Sequence, residues 1–129
     1  MIQGSCLCGS IKYEISGEVG GIVHCHCPTC RKAHASAFSS VVAVQDEDFT
    51  LLDGDTLKFY ESSPGKQRFF CSNCGSQIYA KREGTPHIVL RLGCLDSDIN
   101  AQEKEHIWVS QKASWYDIDS DLPKRNEFS

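Results

Sequence analysis

The stretch FFCSNCGSQIY, residues 69–79, places two cysteines between short segments of strand-like residues. In the Cys71-x-x-Cys74-Gly sequence the chain can turn back around a metal ion. Gly75 permits the positive φ that such a turn often needs. This stretch therefore predicts two strands joined by a metal-binding turn.

A second cysteine pair lies in SCLCG, residues 5–9. On an extended backbone the side chains of Cys6 and Cys8 point to the same side. Together with Cys71 and Cys74 they supply four thiolates, which is the ligand set of a closed, tetrahedral, structural zinc site. Because 62 residues lie between Cys8 and Cys71, the ion would tie the N-terminus to the middle of the chain.

The rest of the chain alternates in the same strand-like way between turn residues. Predicted strands are residues 11–15, 37–44, 56–62, 67–71, 76–80 and 87–92, with turns at 62–65 and 82–86. Residues 106–118 give a weak strand pattern. Helix is predicted only from Pro28 to Ala35 and in a short piece near Asp98–Gln102. With 129 residues the chain has the size of one domain, so we expect a single, mainly β domain over residues 1–129.

Composition excludes several classes of function. The formal net charge of −4 and the lack of a basic run argue against a nucleic-acid binder. No apolar segment approaches the roughly 20 residues needed to span a bilayer. The N-terminus lacks the basic start and apolar stretch of a signal peptide. We expect a cytoplasmic protein that binds neither nucleic acid nor membrane; the sequence does not indicate its oligomeric state.

The chain has eight cysteines, and seven of them fall into tight clusters. Disulfide staples are usually spread along a secreted chain, whereas metal ligands come in clusters such as these. The spacing therefore favours metal binding over disulfide bonds.

The sequence CHCPTC contains the third cluster, Cys25, Cys27 and Cys30. Three protein ligands with a free fourth position are the arrangement of a catalytic zinc, where water or substrate completes the coordination. A fourth ligand from the protein is the alternative. Chemically competent candidates are His24, His26, His34 and Cys94.

A helix that begins near Pro28 would direct backbone N–H groups at these thiolates. Arg31 and Lys32 add positive charge close by, which lowers the pKa of a thiol. Both cations could equally belong to a solvated helix face, and for Lys32 the two interpretations are balanced.

Four segments together resemble the family of glutathione-dependent formaldehyde-activating enzymes, also called the centromere protein V domain. They are GSCLCGSIKYEI (4–15), CHCPTCRKAHASAF (25–38), FFCSNCGSQIY (69–79) and HIWVSQKASWYDI (106–118) followed by DLP (121–123). The resemblance runs from about residue 5 to residue 123.

The resemblance implies a β-rich fold in which two sheets shelter zinc. It places a structural zinc on Cys6, Cys8, Cys71 and Cys74. It places a second zinc on Cys25, Cys27 and Cys30. The reaction it implies is the condensation of glutathione with formaldehyde to S-(hydroxymethyl)glutathione, the work of a carbon–sulfur lyase.

Two positions depart from the family pattern. Ala35 replaces a glycine that is common after the second motif, and this change could tighten the mouth of the pocket. Cys94 stands where small or hydroxyl residues are more usual, and we interpret it as a buried, inert thiol.

The implied chemistry assigns provisional roles to several residues. His34 is the first candidate for the group that donates and accepts the reaction's proton, and His24 is the second. Arg31 is the nearest plausible partner for the carboxylates of glutathione. Arg68 and Arg91 lie on predicted strands, so we expect them to be structural.

Two other functions remain open at this point. The chain could act on a different thiol adduct with the same zinc and other pocket walls. Alternatively, it could be a non-catalytic module that binds glutathione or another protein, with both zinc ions structural.

Overall fold

Ten strands and one α-helix make up the computed structural model, which describes residues 1–129. The strands are β1 (Ile2–Ser5), β2 (Lys12–Ile15), β3 (Ile22–Cys25), β4 (Ser39–Gln45), β5 (Phe49–Asp53), β6 (Leu57–Ser63), β7 (Lys66–Cys71), β8 (Gln77–Arg82), β9 (His87–Arg91) and β10 (Glu103–Ile107). The helix α1 spans Pro28–His34. Short 3₁₀ turns cover Asp46–Asp48, Leu92–Cys94 and Val109–Gln111. The mainly β fold with little helix is confirmed.

The strands form two sheets, as the family resemblance implies. The smaller sheet has the order β1-β2-β5, and the larger has the order β10-β3-β4-β9-β8-β7-β6. All pairs are antiparallel except β10 with β3, which is parallel. Short antiparallel strands are what we expect of this domain from its sequence, and this pair is the exception. It can be parallel because β10 returns to the large sheet only after a long connection from β9.

The hydrophobic core lies between the two sheets. Every second residue of β2 points inward, so that Tyr13 and Ile15 are buried with Ile11 just before the strand. They pack in one cluster with residues of the large sheet: Val42, Val44, Ile78, Ile88 and Leu90. Cys6 and Cys71 belong to the same cluster, so the first cysteine site lies at the edge of this core and touches both sheets.

One helix prediction is wrong. Residues 98–102 form no helix, and the only helical turn nearby covers Leu92–Cys94. The backbone here has other partners, because the carbonyl of Gln102 accepts a hydrogen bond from the N–H of Ile22 at 2.9 Å. This bond leads the chain directly into β10.

The C-terminal segment continues beside β10. The strand weakly predicted for residues 106–118 is only partly correct, since β10 ends at Ile107 and a 3₁₀ turn follows. Beyond it, the N–H of Arg125 donates to the carbonyl of His106 and the N–H of Trp108 donates to that of Glu127. These bonds bring Phe128 against Trp108, with ring centroids 5.3 Å apart. No helix in the structure is long and apolar enough to cross a membrane.

Candidate metal centres and the adjoining cavity

The first cysteine cluster is formed by two tight turns. In the turn between β1 and β2, the N–H of Gly9 donates to the carbonyl of Cys6 at 3.0 Å. In the turn after β7, the N–H of Gly75 donates to the carbonyl of Cys71 at 2.8 Å. Gly75 has φ +82°, which is the positive φ predicted from the sequence. The two turns face each other, one from each sheet.

The four thiols of this cluster fit a tetrahedral zinc ion. All four Sγ atoms lie within 4.8 Å of one another. The Sγ of Cys8 lies 3.7 Å from that of Cys6 and 3.8 Å from that of Cys71. Four zinc–sulfur bonds of about 2.3 Å in a tetrahedron separate the sulfurs by about 3.8 Å, so these distances match such a site.

Hydroxyl groups surround the same sulfurs. Ser10 Oγ lies 3.1 Å from Cys8 Sγ, and Thr56 Oγ1 lies 3.3 Å from Cys71 Sγ. The hydrogen bond with Ser10 lowers the pKa of Cys8 to about 7. Burial raises the pKa of Cys71, but hydrogen bonds from Ser10 and Thr56 outweigh it and bring that pKa to about 5. These hydroxyls therefore favour the thiolate form that binds metal.

The second cluster lies where β3 runs into α1. Cys25 ends β3, and Cys27 is the N-cap of α1, where its Sγ accepts a hydrogen bond from the N–H of Cys30 at 3.3 Å. Pro28 occupies the first turn of the helix, which fixes φ at a helical value and needs no hydrogen-bond acceptor there. The three Sγ atoms lie within 4.8 Å of one another.

Two thiols of this cluster have pKa values shifted in opposite directions. Hydrogen bonds with Cys27 and Cys30 raise the pKa of Cys25 far above its ordinary value. Hydrogen bonds from Cys25 and Cys27 lower the pKa of Cys30 far below it. Cys30 is therefore the better thiolate of this pair, and a divalent metal ion would favour the thiolate form of each ligand that it binds. Both clusters could hold a metal ion.

The residues considered as a fourth ligand lie outside this cluster. His26 points the opposite way, as expected from alternation, and its Nε2 is 2.8 Å from the Nδ1 of His106. His24 lies between Ser40 and Glu103, with its Nδ1 2.9 Å from Ser40 Oγ. Both imidazoles are buried and already paired with other residues.

Cys94 lies near the first cysteine cluster instead. Its thiol donates to the carbonyl of Gln77 at 3.4 Å, and it packs against the core with Cys74. Burial raises its pKa, with the nearby Cys6 thiol adding to the effect. Cys94 is half-buried, and a raised pKa disfavours its reactive thiolate form.

His34 lies at the C-terminal end of α1, and its Nε2 is buried without a hydrogen-bond partner. Burial, together with the charge of Arg91, lowers the pKa of His34 to about 4. The imidazole is therefore neutral at pH 7. His34 does not line the cavity described next.

A cavity of about 600 Å³ opens beside the second cluster. Its wall includes all three cysteines, together with Trp108 and Phe128. Its basic residues are Lys66, Arg68, Arg82 and Arg91, and no aspartate or glutamate lines it. A second groove of about 580 Å³ adjoins it across Arg68 and Thr29 and is lined by Lys32 and Tyr60. The volumes are those of small-molecule sites.

Arg31, the predicted partner for glutathione, lines neither space. It lies toward His26, whose pKa burial lowers to about 4, with Arg31 among the charges that add to the shift. Ala35 is exposed and also lines neither space. The expectation that Ala35 tightens the pocket mouth is therefore wrong.

Sequence reasoning did not identify Arg68 and Arg91 as cavity residues. Both are buried, and each lies on a strand of the large sheet. A charged residue inside a predicted buried strand is unusual unless it has a partner. The presence of an arginine within each of these predicted strands could therefore have indicated a cavity residue.

The comparison with known proteins agrees with this arrangement. The family model for the glutathione-dependent formaldehyde-activating enzyme matches residues 1–111, most of the chain. The chain belongs to this family. The match includes both cysteine clusters and every strand.

Curated relatives of this glutathione-dependent formaldehyde-activating family match at modest identity. A Schizosaccharomyces pombe protein named as an uncharacterised lyase is 32% identical over 77 residues, which are 60% of this chain and 55% of that protein. A Podospora anserina protein, provisionally named as a glutathione-dependent formaldehyde-activating enzyme, is 34% identical over 82 residues, or 60% of this chain and 38% of that protein. This chain thus matches about half or less of the length of these relatives.

One solved structure shares the fold. The crystal structure of a Rhodobacter sphaeroides protein superposes with a TM-score of 0.63 and covers 76% of this chain and 91% of that chain. The sequence identity is 19%, so this likeness supports the fold alone.

Proposed function

We propose that this protein is a carbon–sulfur lyase that joins glutathione, or a related thiol, to formaldehyde or another small aldehyde. The observation that carries the proposal is the position of three metal-competent thiols in the wall of a cavity lined by four basic residues. Membership of the glutathione-dependent formaldehyde-activating family supports the choice of reaction.

The two cysteine clusters would hold two zinc ions with different roles. The closed set of Cys6, Cys8, Cys71 and Cys74 would be structural. At the second set, Cys25, Cys27 and Cys30, zinc would supply a positive charge that lowers the pKa of a thiol placed beside it.

The cavity residues would bind and orient the thiol substrate. Lys66 is half-buried and Arg82 is exposed, so both can meet carboxylates of glutathione at the outer part of the cavity. Trp108 and Phe128 form an apolar wall that limits access of water to the reacting groups. In the addition the carbon–sulfur bond forms, the carbonyl π bond breaks, and the thiol proton ends on the carbonyl oxygen.

The proton transfer is assigned to His34 within this proposal. Its neutral imidazole has an unpaired Nε2, which can accept or donate a proton. Because His34 lies outside the cavity wall, this role also requires a water molecule or a small movement between His34 and the substrate.

Exchange NMR tests the proposed reaction directly. The exchange rate between labelled formaldehyde and its glutathione adduct is measured with and without protein, and zinc-loaded protein should raise it. Cys30→Ser should abolish the increase, whereas Cys94→Ser, a thiol outside the second cluster, should retain it. His34→Gln should lower the rate by about 100-fold if His34 carries the proton. Glutathione binding without any increase in exchange would instead favour the non-catalytic binding module.

A further inference from the structure

The four basic residues of the cavity have no acidic partner. The ion pairs of the structure join His24 to Glu103, Lys81 to Asp46, and Arg125 to Glu105, and none involves a cavity residue. Cations gathered without carboxylates repel one another and carry a desolvation cost. An anionic ligand would offset both the repulsion between the cations and their desolvation cost.

The four cations lie at two depths. Arg82 is exposed and Lys66 is half-buried, whereas Arg68 is 8% exposed and Arg91 is 5% exposed. We call Arg68 and Arg91 the inner pair and Lys66 and Arg82 the outer pair. The inner pair is the one beside the thiols, where the reacting atoms would lie.

The two arginines of the inner pair differ in their contacts. Arg68 donates from Nε to Ser62 Oγ at 2.9 Å, and its terminal nitrogens lie 3.9 and 4.0 Å from Cys30 Sγ. Arg91 has a buried Nη2 with no hydrogen-bond partner. An unpaired N–H of a buried guanidinium destabilises the protein unless a ligand completes it.

The cysteines carry too little negative charge for both of these guanidinium groups. If the second cluster holds a divalent ion, as the proposed function requires, three thiolates retain a single net negative charge. Arg68 faces that charge through Cys30. Arg91 also feels the charge of the three cysteines, but its Nη2 has no hydrogen-bond partner, so an anion that accepts from Arg91 is still missing.

Glutathione does not supply that anion readily. Each of its carboxylates is separated from its sulfur by a peptide bond, so both extend away from the reacting sulfur. They would meet the outer pair. An anion for Arg91 has to lie next to the reacting carbon.

We propose that Arg91, assisted by Arg68, binds a carboxylate on the carbon adjacent to the reacting carbonyl. This inference rests on the proposed function and assigns the carbonyl substrate to the 2-oxo acids, of which glyoxylate is the smallest and the one aldehyde. The thiol S–H adds across the carbonyl, the carbon–sulfur bond forms, and the proton moves to the carbonyl oxygen. The carboxylate is unchanged, and no oxidant or reductant is needed.

Two ligands without a free thiol differ by the carboxylate that Arg91 is proposed to bind. S-methylglutathione resembles the adduct of formaldehyde, and S-(carboxymethyl)glutathione resembles the adduct of glyoxylate. Both retain the carboxylates of glutathione itself. With zinc-loaded protein, calorimetry should show the carboxymethyl ligand binding at least about tenfold more tightly, as expected for one charge-assisted, bidentate contact.

Two matched variants locate the contact. Arg91→Gln should remove the preference for the carboxymethyl ligand, with zinc content measured alongside. Arg82→Gln, which removes an outer cation, should weaken both ligands by similar factors and keep their ratio. A preference that survives in Arg91→Gln overturns the assignment.

The wild-type protein provides a test that does not depend on the folding of any variant. Equal affinity for the two ligands overturns this inference and leaves the proposed function standing. Binding of neither ligand overturns both this inference and the proposed function.

In exchange NMR, wild-type protein should favour glyoxylate over formaldehyde, and Arg91→Gln should lose that preference. Equal losses with the two aldehydes would instead assign Arg91 to the developing alkoxide and overturn the carboxylate subsite.

Discussion

Ala35 ends α1 in the left-handed region, with φ 49° and ψ 46°. Its N–H donates to the carbonyl of Arg31, which closes the last turn of the helix. A residue with a Cβ is strained in this conformation, whereas glycine is not. The geometry therefore favours glycine over alanine at this position.

Ala35→Gly should therefore stabilise the protein. We expect the free energy of unfolding to rise by about 0.5–1 kcal/mol, because the relief of strain exceeds the added entropy of the unfolded chain. The free energy of unfolding is measured by urea denaturation in excess zinc. Ala33→Gly, inside the same helix, is the control and should lower stability by about 1 kcal/mol. Equal destabilisation by both variants would contradict the strain at Ala35.

At the same scale, the sequence identified the metal-competent residues better than the cavity residues. Cysteine ligands must come from local turns, so their spacing along the chain predicts both clusters. Arg68 and Arg91 come from β7 and β9, and they reach the cavity only through the order of strands in the large sheet. Residue types and spacing do not reveal the order of the strands. Arg31, the cation that follows the second cysteine cluster in sequence, was therefore predicted to bind glutathione.

At the scale of elements, the pairing of β1 with β2 depends on one glycine. Gly4 lies opposite Tyr13 in the register, and a Cβ at position 4 would collide with the ring and hydroxyl of Tyr13. The ring is 1% exposed and lies in the core, so it cannot move away.

Gly4→Ala should lower the free energy of unfolding by about 1–3 kcal/mol, the usual effect of overpacking in a core. Gly93→Ala is the control, since a Cβ there meets no atom within 4 Å, and its stability should be close to wild type. The loss should shrink in Gly4→Ala/Tyr13→Phe, because the hydroxyl that collides also lacks a hydrogen-bond partner. Chemical denaturation of the four proteins provides the comparison; a Gly4→Ala protein as stable as Gly93→Ala would contradict the close contact.

The elements that the sequence predicts well are those with clear alternation and turn residues at both ends. β6 to β9 and α1 fall where expected. The strands β1, β3 and β5 were not predicted, because the four residues of β1 and of β3 show no clear alternation of apolar and polar residues and β5 is mostly exposed. Short or exposed strands give little periodic signal, and their pairing partners determine them.

At the scale of the whole molecule, the first cysteine cluster connects the two sheets. Cys6 and Cys8 follow β1 in the small sheet, whereas Cys71 ends β7 in the large one. A metal ion bound there would act as a crosslink across the core. For structural zinc sites of this kind, binding contributes on the order of 10 kcal/mol to folding.

Cys71→Ser should therefore lower the melting temperature sharply or prevent soluble expression. Cys94→Ser is the control, since this thiol lies nearby but outside the cluster, and it should keep the full metal content. Thermal melting and metal analysis of both variants measure the difference. A Cys71→Ser protein that melts like wild type with all its metal would refute the structural site.

The two metal sites should also differ in how firmly they hold an ion. The second cluster offers three thiols where the first offers four, so a mild chelator should remove its ion first. The fold should survive that loss, because the four-cysteine site still connects the two sheets. Circular dichroism and metal content, followed together during chelation, should show one ion leaving before any unfolding. Simultaneous loss of metal and fold would contradict this order.

Glutathione should slow the removal of the more weakly held ion, because a ligand that binds only the metal-loaded protein stabilises that state. Co²⁺ makes the site visible, since thiolate ligands give it strong charge-transfer absorption. Adding glutathione to Co²⁺-loaded protein should raise this absorption as one further thiolate reaches the metal. Cys30→Ser should abolish the response and remain folded, because Cys30 lies outside the four-cysteine cluster. An unchanged spectrum would mean that the cavity holds glutathione away from the metal, and the lyase proposal would then give way to a binding module.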